Sequence, residues 1–95
     1  MAQYVTRVEL HNEQRDDYPK LHAEMEARNF TRQVQLGNTA YHLPHATYLS
    51  NSNGDRNFVH GLAAAAVAAT GRQAGIVVVQ ISAEGVLGSG LIPVR

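Results

Sequence analysis

The chain has 95 residues, of which 44% are hydrophobic and 17% charged, and no cysteine. That is one domain's worth of sequence with enough apolar residues for a single core; it excludes a disulfide scaffold, a thiolate metal site and a Cys nucleophile. The formal net charge of +0 does not advertise nucleic-acid binding, which would need a local cluster of Lys, Arg and His.

Tyr4 to Leu10 alternates, with Tyr4, Thr6, Val8 and Leu10 on one face and Val5, Arg7 and Glu9 on the other. This pattern predicts a half-buried strand. Asp16 and Asp17 then offer a cap and a favourable charge for a helix over 17–28, and Pro19 is tolerated in its first turn. Tyr18, Leu21 and Met25 form its apolar stripe, and Asn29 supplies a left-handed stop. Phe30 to Leu36 reads as an edge strand. Gly37-Asn38 is a two-residue hairpin turn, and the returning strand runs from Thr39 to about Leu49 with a bulge or break at Pro44. After the polar loop 50–54, Asp55 caps a helix over 55–70 with the stripe Phe58, Val59, Leu62, Ala66 and Val67, stopped by Gly71. Gly75 to Ser82 is a strand that is apolar on both faces for most of its length. Leu87 to Val94 offers a short extra strand, weakened by Gly88, Gly90 and Pro93.

The order β-α-β-β-α-β predicts a ferredoxin-like α+β domain spanning residues 1–95, with two helices on one face of an antiparallel sheet and a short C-terminal strand. The spatial strand order would be 4-1-3-2, with Leu62 and Val78 buried between the second helix and the sheet. The last strand of the sheet, Ile76 to Ser82, then lies at an edge. Its apolar character invites pairing, either with the C-terminal segment of the same chain or across a homodimer to which residues after Gly85 contribute.

The uncovered sheet face holds the candidate chemistry. Arg7 projects onto it. His42 shares it if Tyr41 and Leu43 point to the core; a phase shift at Pro44 would put His45 or Tyr48 there instead. Arg matches phosphate, His moves protons near neutral pH, and Tyr stacks on bases. The same residues read more simply as exposed sheet surface or a dimer contact, with Arg7 paired to Glu9. A zinc site at His42 and His45 lacks further ligands, and a proline-broken strand aims the two rings apart. A helix cap explains Asp16 and Asp17 better than a magnesium site. His22 and His60 read as solvated helix surface. No phosphate loop, nucleophile elbow or dinucleotide fingerprint occurs, so no cofactor is expected. No basic-then-apolar leader precedes the first strand and no apolar run approaches membrane length, so neither a membrane nor a DNA duplex is an expected partner and the cytoplasm is the expected location.

Tyr4-Val5-Thr6-Arg7-Val8-Glu9-Leu10-His11, the helix from Asp17 to Glu26, Phe30-Thr31-Arg32, and Tyr41-His42-Leu43-Pro44 with Tyr48 together resemble the GhoS-type antitoxins of type V toxin–antitoxin systems. The resemblance extends to about Ser82. That antitoxin is an endoribonuclease acting on messenger RNA, similar in fold to the small CRISPR-associated adaptation nuclease, a dimer. The resemblance implies RNA as partner and RNA cleavage as activity. The CRISPR-associated nucleases carry an Asp near the end of the first strand for metal, whereas here that place reads Leu10-His11-Asn12. Cleavage would therefore follow a metal-independent route, with His42 or His45 transferring protons and Arg7 and Arg32 holding the phosphate. Tyr48 would join Arg7 and Arg32 in binding RNA. A non-catalytic dimeric module of the same fold, binding a protein or small ligand, is the alternative.

Overall fold

The computed structural model describes residues 1–94. Seven elements follow in chain order: β1 (Ala2–Leu10), α1 (Asp17–Ala27), β2 (Gln33–Leu36), β3 (Thr39–His42), β4 (Thr47–Ser52), α2 (Arg56–Thr70) and β5 (Ala74–Gln80). They form the ferredoxin-like β-α-β-β-α-β arrangement, with the third predicted strand divided into β3 and β4. A three-stranded antiparallel sheet has the order β4-β1-β5, and a separate two-stranded sheet pairs β2 with β3. The two sheets are tied at Thr31, which exchanges both backbone hydrogen bonds with Leu49 at 2.8 Å, while the next residue, Arg32, accepts from the Leu43 N–H.

The alternation of β1 is realised as it reads. Tyr4, Thr6, Val8 and Leu10 are buried, and Arg7 and Glu9 are exposed. Both helices cover the buried face: Leu21 and Met25 of α1 and Val59, Ala63, Ala66 and Val67 of α2 join Tyr4, Val8, Leu10, Phe30 and Tyr48 in one core. Burial on this scale is the main favourable term for a domain this small. Phe58 is exposed, and Leu62 and Val78 are only partly buried against that core. The buried stripe of α2 is therefore centred on Ala63 rather than Leu62. Small residues let the helix sit close to the sheet, which turns Phe58 outward.

The ends of the elements follow local chemistry. Asp55 accepts from the Phe58 N–H at 2.9 Å and caps α2, and Gly71 closes it with φ 80°; a left-handed residue here is the usual glycine-stopped helix end. Asp16 occupies the cap position of α1 without a side-chain bond. Asp17 does the capping work differently: its carboxylate accepts from the Gln14 N–H at 2.6 Å and from Arg72 Nε at 2.8 Å. This ties the start of α1 to the connection between α2 and β5. Gly37, at φ 63°, opens the two-residue turn joining Leu36 to Thr39, the first turn position that a type II′ hairpin reserves for glycine.

The C-terminal segment pairs with β3 and not with the β5 edge. The His42 N–H donates to the Ile92 carbonyl at 2.8 Å, and the Val94 N–H to that of Ala40 at 2.9 Å. Leu91 lies beside Leu36, Tyr41 and Gly88 around a shallow cleft. A two-stranded hairpin is marginal alone, and the bridge between Tyr41 and Pro93 adds backbone bonds along its β3 side. Among the described residues, no strand pairs with the outer edge of β5, and no helix is long and apolar enough to cross a membrane.

Candidate functional site

The segment between β3 and β4 decides which side chains meet. Pro44 cannot continue a ladder, and the chain turns over Pro44-His45-Ala46-Thr47, closed by the Thr47 N–H donating to the Pro44 carbonyl at 3.1 Å. Ala46 sits in this turn with φ 58°, a left-handed conformation that glycine normally supplies. The Ala46 carbonyl accepts from the Val8 N–H at 3.1 Å, which fixes the turn to the central strand. Beyond the turn the strand phase has changed. Tyr48 stands opposite Thr6 on the helix-covered face and is fully buried.

Tyr48 there meets α1. Its hydroxyl lies 2.7 Å from His22 Nδ1, and its ring packs edge-on against Phe30 with centroids 6.4 Å apart. His45 leaves the turn toward the same helix. Its ring meets Tyr18 edge-on at 4.4 Å and stands 6.1 Å from the His22 ring. Tyr18 and His22, one helical turn apart, have centroids 6.2 Å apart, and the Tyr18 hydroxyl accepts from the Leu10 N–H at 3.0 Å. Two histidines and two tyrosines thus share one surface at the edge of the core.

The electrostatics of this cluster are set by burial and by Arg32. Burial first, then the charges of Arg32 and His45, push His22 down to about 4. Burial pushes the Tyr48 hydroxyl up to about 12, aided by Tyr18 and Glu26 and opposed by Arg32. Near neutral pH, His22 is therefore uncharged and Tyr48 protonated. Among the described residues, the buried Tyr48 hydroxyl has His22 Nδ1 as its one hydrogen-bond partner. Satisfying that donor requires Nδ1 to accept the Tyr48 O–H, so the ring carries its own proton on Nε2. Arg32 is exposed, and among the described residues it makes no ion pair; the two ion pairs there join Arg28 to Glu24 and Arg72 to Asp17.

The residues nominated from sequence are distributed over this frame. Arg7 is exposed on the open face of the sheet, opposite Thr47 and Val77. It lines a shallow concavity of about 580 Å³ with Val8, Glu9, Gly75, Ile76 and Val77. His42 ends β3, exposed and opposite Gln33. His45 lies on the helix-covered side, away from Arg7. Tyr48 is enclosed, so its ring offers no face to a base. Arg32 and His45 converge through their shared effect on His22, which the sequence placed on solvated helix surface. The signal that could have found His22 is its i+4 spacing from Tyr18 on a helix whose apolar stripe begins at Tyr18. His60 is exposed, as its pattern suggests. Among the described residues no group of three or more His, Asp or Glu stands close enough together to hold a metal ion.

Comparison with protein-family models, with curated proteins and with solved structures finds no match to this chain.

Proposed function

We propose that this protein is a dimeric ferredoxin-like binding module whose partner at the β5 edge is a second copy of itself. The observation that supports it is the outer edge of β5, unpaired among the described residues, beside an apolar sheet face. The Ile81 N–H donates to the Gln3 carbonyl, and the Gln73 carbonyl accepts from the His11 N–H. Odd-numbered positions of β5 thus bond to β1, and the backbone groups of Ala74, Ile76, Val78 and Gln80 point outward, away from it. On the open face Val77 and Val79 are 59% and 54% exposed. An apolar edge strand of this kind is a template for pairing. Antiparallel pairing of two β5 edges about a two-fold axis satisfies both copies in a single closed contact and joins the two sheets into one.

RNA cleavage by the residues nominated from sequence would need His42 or His45 together with both Arg7 and Arg32. Arg7 stands on the open face of the sheet, His45 on the helix-covered side and His42 on a separate hairpin, which favours the binding module.

Sedimentation velocity of the purified chain tests this, with Gln80→Pro and Val77→Lys as edge variants. Gln80 directs its N–H outward, so proline there removes an edge donor and spares the β1 ladder. The unaltered chain is expected to sediment as a dimer at micromolar concentration and both variants as folded monomers. A monomeric unaltered chain at high micromolar concentration overturns the proposal, as does a dimer that both variants leave intact.

A further inference from the structure

We infer that His22, His45 and Arg32 form a binding site for a phosphate-type oxyanion, on the helix-covered side of the molecule and separate from the β5 edge. Three observations converge on it. The first is a donor held in place: Tyr48 occupies His22 Nδ1 at 2.7 Å, which leaves Nε2–H as the ring's remaining polar group. The second is a second imidazole, His45, whose ring stands 6.1 Å from that of His22 and is braced edge-on against Tyr18 at 4.4 Å. A tetrahedral oxyanion is of a size to accept from both rings across such a gap. The third is a guanidinium without a carboxylate. Arg32 follows Thr31, which pairs with Leu49 next to Tyr48, and its carbonyl accepts from the Leu43 N–H at 2.8 Å, two residues before His45. It makes no ion pair among the described residues, and its charge bears on both His22 and Tyr48.

Positive and protonatable groups crowd this surface at a cost to His22, whose charged form is disfavoured by Arg32 and His45 as well as by burial. An anion among them reverses those charge effects. The planar fork of arginine and the N–H groups of imidazoles are the donors that match phosphate oxygens. The groups facing the site from each packed element are Tyr18 and Glu26 on α1, Arg32 on the connection to β2, His45 on the turn and Tyr48 on β4. Glu26 is the one carboxylate among them, and its charge acts on Tyr48. The nearby Glu24 is engaged by Arg28 at 2.8 Å. A dianion therefore meets a surface on which Arg32 balances that one carboxylate and the imidazole N–H groups supply further donors.

Binding of an oxyanion must raise the proton affinity of both rings. Inorganic phosphate and a phosphodiester-bearing ligand share this chemistry, so the probe is used in both forms. Imidazole proton resonances of the five histidines are followed by NMR while inorganic phosphate, and separately a dinucleotide, is added at constant ionic strength. The expected result is saturable movement of the His22 and His45 signals, with His11, His42 and His60 unmoved. The midpoint of His22 should shift upward from its low value when ligand is present. Arg32→Gln, an exposed position that leaves the fold intact, should weaken binding by about tenfold to a hundredfold, the loss for one charge-assisted contact. His45→Ala should lower the affinity and leave the His22–Tyr48 bond in place. Tighter binding of the dinucleotide identifies a phosphodiester as the ligand, and tighter binding of phosphate a free anion. Uniform drift of all five histidines, or saturable shifts that persist unchanged in Arg32→Gln, overturns the site. Because the readout is at His22, it stands or falls independently of whether the chain dimerises through β5.

Discussion

Replacing His22 with Asn separates the titration of the ring from its hydrogen bond. The shorter amide presents an oxygen near the place of Nδ1, so the Tyr48 hydroxyl keeps an acceptor while the ionisable group is lost. In the folded chain His22 sits at about 4, against 6.5 for the free side chain. Between these two values the unfolded chain binds more protons than the folded one, so stability rises with pH across that window. The penalty for holding a neutral His22 is absent above about pH 6.5, grows as the pH falls, and is complete below about pH 4. At about 1.4 kcal/mol per decade the full window corresponds to ~3 kcal/mol. Much of the ring still meets water, and screening reduces this to ~1–2 kcal/mol. Urea unfolding from about pH 7 down to about pH 4.5 measures it, and subtracting the variant's profile from that of the unaltered chain cancels the carboxylates common to both. The unaltered chain is expected to lose ~1–2 kcal/mol more than His22→Asn across the range. Parallel profiles, or a steeper loss in the variant, would refute the assignment of a buried neutral histidine.

Leu21→Ala truncates a fully buried side chain and is expected to cost about 2–5 kcal/mol in urea unfolding, while Leu62→Ala, at a partly buried position, costs measurably less; equal losses would show that the face of α2 is wrongly placed. Ala46→Gly should stay within about 1 kcal/mol of the unaltered chain, since it relieves a left-handed alanine but loses a buried methyl, whereas Ala46→Val should destabilise clearly; thermal melts of the pair decide it. Asp17 is held below its ordinary carboxylate value chiefly by the Gln14 N–H, with further help from Arg72. Its contribution is thus present above the ordinary value of 3.8 and disappears as the pH falls through the lower folded value; Asp17→Asn should unfold earlier than the unaltered chain at neutral pH and converge with it in strong acid, as followed by circular dichroism.

The strands and helices were legible because their signals are local. The alternation of Tyr4, Thr6, Val8 and Leu10 needs no partner to be read, nor does Gly37 at a hairpin turn or Gly71 at a helix end. Pro44 marked the break in the third strand. The direction of the break was not legible: it depends on a left-handed Ala46, a residue type that gives no hint of positive φ, and this turn carries Tyr48 to the helix side. His22 was hidden for a related reason. Its neighbour Leu21 points to the core, but whether the next position meets solvent or a tyrosine depends on where β4 arrives. The pairing of Ile92 and Val94 with β3 has no local signature at all. It is a contact between segments far apart in sequence, chosen by which edge remains open once the rest has packed.

The place of β1 also has a consequence for the order in which the protein can be made. Tyr4 lies opposite Ser50 on one side and Gln80 on the other, so the central strand precedes both of its neighbours in the chain. During synthesis it emerges with two open edges and an apolar face. Its first native contact comes from α1, whose Tyr18 hydroxyl takes the Leu10 N–H. β4 closes one edge next, and the other stays open until β5 follows α2. Such non-local pairing slows folding, and a nascent chain with an unpaired central strand is exposed to pairing with its neighbours on a polysome. A ribosome stalled before Ala74 would release a chain that has its helices and half its sheet, and an apolar strand edge in search of any β5.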